Sequence, residues 1–273
     1  MHRISWRLAA ALPILAVAAC RPDFKLKDHT TNEALYAASL NEYQHKRWDN
    51  AISGFEKLTT DLPARDTLLP RAYWYLATTH ERVGEHLLAA QSFGRLTENF
   101  PEDSLADDAG LEAARSYRKL WRKPQLDPMY GETALASYNT LIGLYPASPL
   151  LPQAQKEIDQ LEDWFAQKDY DAGMYYFRRK AWDSGIIFFK SALNKFPNTP
   201  TARTAALRLV ESYKRIKYLE DSVELCGQLA QRYPGDRETH EICAGVPGPA
   251  AAKPDSVPVK RDSVPPPKAK PPA

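Results

Sequence analysis

Residues 181–197 read Ala181-Trp182-Asp183-Ser184-Gly185-Ile186-Ile187-Phe188-Phe189-Lys190-Ser191-Ala192-Leu193-Asn194-Lys195-Phe196-Pro197. Counted back from Pro197, Ala192 lies five residues earlier, Phe189 eight and Gly185 twelve. Spacings of four and three place these side chains on one face of an α-helix. The small residue lets a neighbouring helix approach, the ring fills the space between them, and the proline cannot continue the helix. The same element ends at Leu62-Pro63, Phe100-Pro101, Tyr145-Pro146 and Tyr233-Pro234. Eight residues before those prolines stand Phe55, Phe93, Tyr138 and Cys226, and twelve before stand Ala51, Ala89, Ala134 and Ser222. Leu58, Leu96, Leu141 and Leu229 hold the remaining position.

A second amphipathic helix precedes each element, marked by Tyr73, Leu76 and Ala77 in the second segment and by Ala172, Gly173 and Tyr176 in the fourth. Trp48, Trp182 and Leu219 sit at the junction of the two helices. Proline-to-proline intervals of 38, 45, 51 and 37 residues resemble the tetratricopeptide repeat, a two-helix unit of about 34 residues. The expected fold is all-α: a tetratricopeptide-repeat-like solenoid of five helix pairs, about ten helices. Its repeat core is expected at Ala51, Phe55, Ala89, Phe93, Tyr138, Tyr176, Trp182 and Phe189. The third segment is longer by about eight residues around Leu120–Pro128, where Pro124 and Pro128 force a loop between the paired helices. Pro152 is followed by about 27 residues without proline, with Ile158, Leu161, Trp164 and Phe165 at helical spacing. One long helix is expected there, running into Tyr175-Tyr176 and linking repeats 1–3 (33–146) to repeats 4–5 (147–243).

The two ends read differently. Met1–Arg7 is a short basic region and Leu8–Ala19 a mostly apolar run, the layout of a signal peptide over residues 1–19. The sequence Leu15-Ala16-Val17-Ala18-Ala19-Cys20 resembles the bacterial lipoprotein box, which implies lipidation of Cys20. Arg21 follows, without the aspartate associated with inner-membrane retention, so the expected location is the cell outer membrane, lipid-anchored and facing the periplasm. Residues 20–32 would be the linker behind the anchor. Residues 244–273 hold nine prolines and no aromatic residue, a tail expected to be disordered or extended as polyproline II. It reads as a spacer, or as a basic arm for anionic partners.

Of the 273 residues, 224 lie between signal and tail, and the formal charge of +2 rests on 36 Lys+Arg against 34 Asp+Glu. Removing Arg3 and Arg7 with the signal leaves a neutral chain, and the tail's five bases and two acids leave the repeats near −3. A nucleic-acid binder would carry a basic excess instead, so no nucleic-acid partner is expected. No stretch reaches the roughly eighteen apolar residues of a membrane span, so contact with the membrane is expected through the lipid anchor only.

The motifs of catalysis are missing. There is no His-Glu-x-x-His, Gly-x-Ser-x-Gly, Walker loop or Gly-x-Gly-x-x-Gly. His240 and Cys243 form a lone His-x-x-Cys, short of the ligands a zinc site needs. Asp107-Asp108 reads as charge complementing a helix start. No enzyme activity, cofactor or metal is expected. Cys226 and Cys243 can pair in an oxidising compartment or remain two free thiols.

A repeat array without chemistry binds other molecules, mainly along the first helix of each pair. Its second, fifth, ninth and twelfth positions are Glu33, Tyr36, Leu40 and Tyr43 in the first unit and Arg71, Trp74, Thr78 and Glu81 in the second. In the third they are Asp108, Leu111, Arg115 and Arg118. Tyr36, Tyr43, Arg71, Trp74, Arg115 and Arg118 therefore form a candidate groove for a peptide with aromatic side chains and a carboxylate. Equally, the rings can pack on adjacent helices and the arginines form a solvated face.

Local motifs carry a closer resemblance. They are Ala34-Leu35-Tyr36 with Trp48-Asp49-Asn50-Ala51-Ile52, Phe100-Pro101 with Ser104-x-Ala106-x-x-Ala109, and Leu126-Asp127-Pro128 before Ala134-Leu135. Tyr175-Tyr176-x-x-Arg179-x-Ala181-Trp182 and Phe196-Pro197-Asn198-Thr199 before Ala205 complete the set. With the lipoprotein box, residues 20–234 resemble the BamD family, lipoproteins of the outer-membrane β-barrel assembly machinery. Lys180 stands where that family usually has glycine, and the Pro-rich tail has no counterpart in it. The resemblance implies a non-catalytic scaffold whose carboxy-terminal repeats dock on a BamA-like barrel subunit, alongside other assembly-machinery lipoproteins. Its amino-terminal repeats would hold the terminal signal of unfolded outer-membrane protein precursors. The alternative is a periplasmic repeat protein coordinating envelope constriction or peptidoglycan synthesis, although no coiled-coil heptad run is present.

Overall fold

Proline punctuation and small-residue spacing translate into helices with little remainder. A computed structural model describes residues 24–247, which contain eleven α-helices and, among the described residues, no strand. The signal segment, Cys20 and the tail from residue 248 lie outside the described residues. Two compact units divide after Ala109, so the expected division at 146/147 falls inside the second.

The first unit holds α1 (Asn32–Gln44), α2 (Trp48–Asp61), α3 (Leu69–Val83) and α4 (His86–Asn99). Thr31 starts α1, its hydroxyl accepting from the Ala34 amide at 3.2 Å. Ala51, Phe55 and Leu58 of α2 are fully buried, as are Ala89, Phe93 and Leu96 of α4. The repeating face is thus the packed face.

Helix α5 (Ala106–Leu120) carries the division, and the second unit continues with α6 (Met129–Leu144), α7 (Leu151–Arg178), α8 (Trp182–Lys195), α9 (Pro200–Ile216) and α10 (Leu219–Arg232). The loop of the third segment occupies residues 121–128 and is pinned by Trp121, which is 2% exposed. Its ring lies where a Cβ on Gly131 would stand, so only glycine lets α6 cross at this point. The 28-residue α7 begins with Pro152 in its first turn, where the missing N–H costs nothing, and runs through Tyr175-Tyr176. Gly173 of α7 repeats the device: a Cβ there would lie 2.5 Å from the Phe189 ring of α8. Tyr138 and Phe189 are fully buried. Tyr176 is half-buried and stacks on Phe188 at 5.5 Å, and the half-buried Trp182 meets Phe177 edge-on at 5.0 Å.

Four of the turns within helix pairs need a left-handed residue. Gly84 supplies it in the second repeat at φ 82°, whereas Lys46, Lys180 and Lys217 adopt φ 59°, 60° and 64° in the first, fourth and fifth. A side chain in this region is strained, and glycine is the residue that would adopt the Lys180 conformation without that cost.

In the fifth repeat Leu225 and Leu229 take the core positions, and Cys226 is only partly buried. Cys226 is bonded to Cys243, with Cα atoms 5.8 Å apart. Cys243 ends α11 (Arg237–Cys243), a short helix beyond the ten of the five pairs. Asp236 caps it, accepting from the Thr239 amide at 3.1 Å and from Arg203 at 2.5 Å. Hydrogen bonds from Thr239 and then from Arg203 bring the Asp236 carboxyl down to about 2.

Candidate peptide-binding surfaces

In the first unit the sequence puts tyrosines at matching heights on α1 and α3, and their rings meet. Tyr75 is the hub: it stacks on Phe55 at 5.5 Å and receives Tyr43 edge-on at 5.2 Å and Tyr36 edge-on at 6.3 Å. Tyr43 also meets Trp48 at 5.5 Å. Tyr36 and Tyr75 rest on fully buried Phe55, and Tyr36, Tyr43 and Tyr75 are each half-buried. Burial pushes the Tyr36 hydroxyl pKa up, Tyr75 adds to the shift, and the Arg71 charge opposes it. Arg71 is exposed and has no ion pair among the described residues. Trp74 lies apart from this cluster, edge-on to Phe93 of α4 at 5.3 Å.

The structure thus gathers Tyr36, Tyr43 and Arg71 and adds Tyr75, which counting along α3 passed over in favour of Trp74. The spacing of Arg71 and Tyr75, four apart on one helix face, was the signal available for it.

Arg115 and Arg118 belong to the second unit. Arg115 Nε donates to both oxygens of Glu157 at 3.1 Å, its Nη2 donates to Glu157 at 2.5 Å, and its Nη1 donates to Glu112 at 2.5 Å. The Tyr138 hydroxyl donates to the same Glu157 at 2.6 Å. The bond to Glu157 pushes the Arg115 pKa further up. Burial raises the Tyr138 hydroxyl, and its bond to Glu157 adds to that. Burial also works to raise Glu157, but the hydrogen bonds from Arg115 and Tyr138 outweigh it and its pKa is lowered. Arg115 therefore fastens α5 to α7 with its charge already matched. Arg118 donates to the neutral amide oxygen of Gln160 across 3.4 Å, a weak contact.

No group of three or more His, Cys, Asp and Glu side chains that could hold a metal occurs among the described residues. No helix among them is long and apolar enough to cross a membrane. Two-helix repeats packed through small and aromatic residues, with half-buried rings along their first helices, define an all-helical repeat protein of the tetratricopeptide class. Solved structures similar to it include a thermophilic TPR protein of Thermus thermophilus (18% identity, TM-score 0.33, covering 79% of this chain and 98% of that one). The TPR domain of P58(IPK) is also similar (12% identity, TM-score 0.42, 78% of this chain and 54% of that one).

The chain belongs to the YfiO family of outer membrane lipoproteins, whose pattern matches residues 28–224. It is 24% identical over 238 residues to the outer membrane protein assembly factor BamD of Caulobacter vibrioides, across 84% of this chain and 76% of that protein.

Proposed function

We propose that this protein is a non-catalytic scaffold of outer-membrane protein assembly, anchored by lipid on Cys20 at the periplasmic face of the outer membrane. The observation that carries the reading is the family match over residues 28–224, joined by the relative that is an assembly factor. The amino-terminal repeats bind the terminal signal of unfolded outer-membrane proteins through Tyr36, Tyr43, Tyr75 and Arg71, and Trp74 is a separate contact toward α4. Half-buried aromatic rings, with an exposed guanidinium whose charge reaches Tyr36, suit a peptide that carries an aromatic side chain and a carboxylate. In the second unit Arg118, with a weak neutral contact, remains available to a ligand, and Arg115 holds its helix in place. Repeats 4–5 dock on the barrel-forming subunit, with other lipoproteins of the machinery alongside. Confinement by the acyl chains raises the scaffold's effective concentration near that subunit.

The test is co-purification of the tagged chain from gently solubilised envelopes, with mass spectrometry of what accompanies it. A stoichiometric protein with a carboxy-terminal β-barrel and periplasmic repeat domains is expected. Recovery of division or peptidoglycan-synthesis factors in its place would overturn the reading and favour a role in envelope constriction.

A further inference from the structure

Helix α11 begins as α9 does. Thr199 and Asp236 each stand three residues after an aromatic that precedes proline, and each donates its amide to that aromatic's carbonyl, Phe196 at 3.2 Å and Tyr233 at 3.1 Å. Each side chain then caps the helix that follows, accepting from the amides of Ala202 and Thr239 at 3.1 Å. The two helices also run in the same direction. Arg203, near the start of α9, meets Asp236 and Glu238 at the start of α11 at 2.5 and 3.1 Å. Lys214, in the last turn of α9, donates to the Ile242 and Ala244 carbonyls at the end of α11 at 2.8 and 3.0 Å. Gly245 follows in the left-handed region at φ 80°, as Lys46, Gly84, Lys180 and Lys217 follow the first helices of four repeats. In start, direction and exit, α11 is the first helix of a sixth repeat. It stops after seven residues, where α9 has seventeen. Nine residues beyond those four left-handed residues stand Phe55, Phe93, Phe189 and Cys226; nine beyond Gly245 stands Pro254, which a helix interior excludes.

A seven-residue helix does not hold by itself. Within α11 only Thr239 is buried, and Ile242 and Cys243 are half-buried against the core shared by α8, α9 and α10. Arg237, Glu238, His240 and Glu241 are exposed, and a polar outer face is what the end of a repeat array requires. The ion pairs to Arg203 are partly exposed and contribute little. The remaining tie is covalent. Cys226 occupies the position at which the other four repeats carry Phe55, Phe93, Tyr138 and Phe189, and its sulfur reaches Cys243 while Leu225 and Leu229 fill the core of the pair.

We propose that the Cys226–Cys243 bond is a latch: oxidation clamps this truncated first helix over the end of the array as its cap, and reduction lets the cap open while α8 and α9 stay folded. Closing exchanges two thiols for a disulfide. One cysteine thiolate attacks a disulfide donor (a protein thiol oxidant or glutathione disulfide), and the other cysteine then displaces the donor from the mixed disulfide. The chain loses two electrons, and the donor leaves as two thiols that carry the two protons. A dithiol reductant reverses the exchange. Opening frees Arg203 from Asp236 and Glu238 and uncovers the surface on which Ile242 and Cys243 lie. The inference stands apart from precursor binding and from the assembly role.

The test is hydrogen–deuterium exchange with mass spectrometry on the full mature chain in detergent, oxidised and after dithiothreitol. Amides 239–244 are expected to exchange at least about tenfold faster after reduction, with α8 and α9 changing by less than about twofold. Glutathione disulfide added back should restore the protection. The double variant Cys226→Ser, Cys243→Ser should exchange at the reduced rate under both conditions. Arg203→Ala, which leaves the bond in place, should accelerate the same amides by less than about threefold. Unchanged protection after reduction, equal loosening of α8 and α9, or protection that does not return with glutathione disulfide would each overturn the latch. So would an Arg203→Ala effect as large as that of the double variant.

Discussion

The two units put the same residue types, arginine beside aromatic rings, to different uses. In the first, Arg71 is exposed, its charge is felt by the Tyr36 hydroxyl, and it makes no ion pair among the described residues. In the second, Arg115 is gripped by Glu112 and Glu157, and Tyr138 closes on the same Glu157. What ties Arg115 down is Glu157, a carboxylate brought to it on α7, and Arg71 has no such partner among the described residues. Position within the repeat alone does not decide it.

The largest effects test the feature both units share. Phe55→Ala and Phe189→Ala each remove a fully buried ring, and each should cost about 3–5 kcal/mol in urea denaturation through the cavity left behind. A loss under about 1 kcal/mol at either site would mean that the small-aromatic face is not the common core. Glu157→Gln sharpens the contrast. It leaves Arg115 with Glu112 alone and takes the charged acceptor from the Tyr138 hydroxyl, and about 2 kcal/mol of stability should be lost, whereas Arg71→Ala should stay within about 0.5 kcal/mol. Equal losses would erase the distinction between the two arginines.

Smaller effects belong to the turns. Lys180→Gly relieves a left-handed side chain and should stabilise by about 1 kcal/mol, while Gly84→Ala introduces the same strain and should destabilise by a similar amount. Opposite signs at these equivalent turns are the readout. The last test is by pH. The folded-state pKa of Asp236 is depressed from 3.8 to about 2, so its contribution is fully present above 3.8 and lost as pH falls through about 2. Amide exchange in α11 should accelerate across that window, and Asp236→Asn should remove the dependence.

The helix pairs, the loop before α6 and the length of α7 were legible in the sequence because proline position and small-residue spacing act over one or two turns. What escaped acts over distance. Glu157 lies 42 residues from the arginine it neutralises, so counting along α5 presented Arg115 as free for a ligand. Tyr75 became the hub of the first unit because its ring meets α1 and α2, which spacing along α3 alone does not reveal. Helix α11 is seven residues long, too short for periodicity to speak. It is held by Arg203, 33 residues away from its cap, and by the Cys226–Cys243 bond that the sequence left open.

The central claim is that the tyrosine cluster of the first unit receives unfolded precursors. Its most direct test is the affinity of a urea-denatured outer-membrane β-barrel protein for the wild-type chain and for the triple variant Tyr36→Ala, Tyr75→Ala, Arg71→Ala, with helicity monitored by circular dichroism. These side chains are exposed or half-buried, so the helices should survive while affinity falls at least about tenfold, the sum of two or three modest contacts. Unchanged affinity with unchanged helicity would contradict the account.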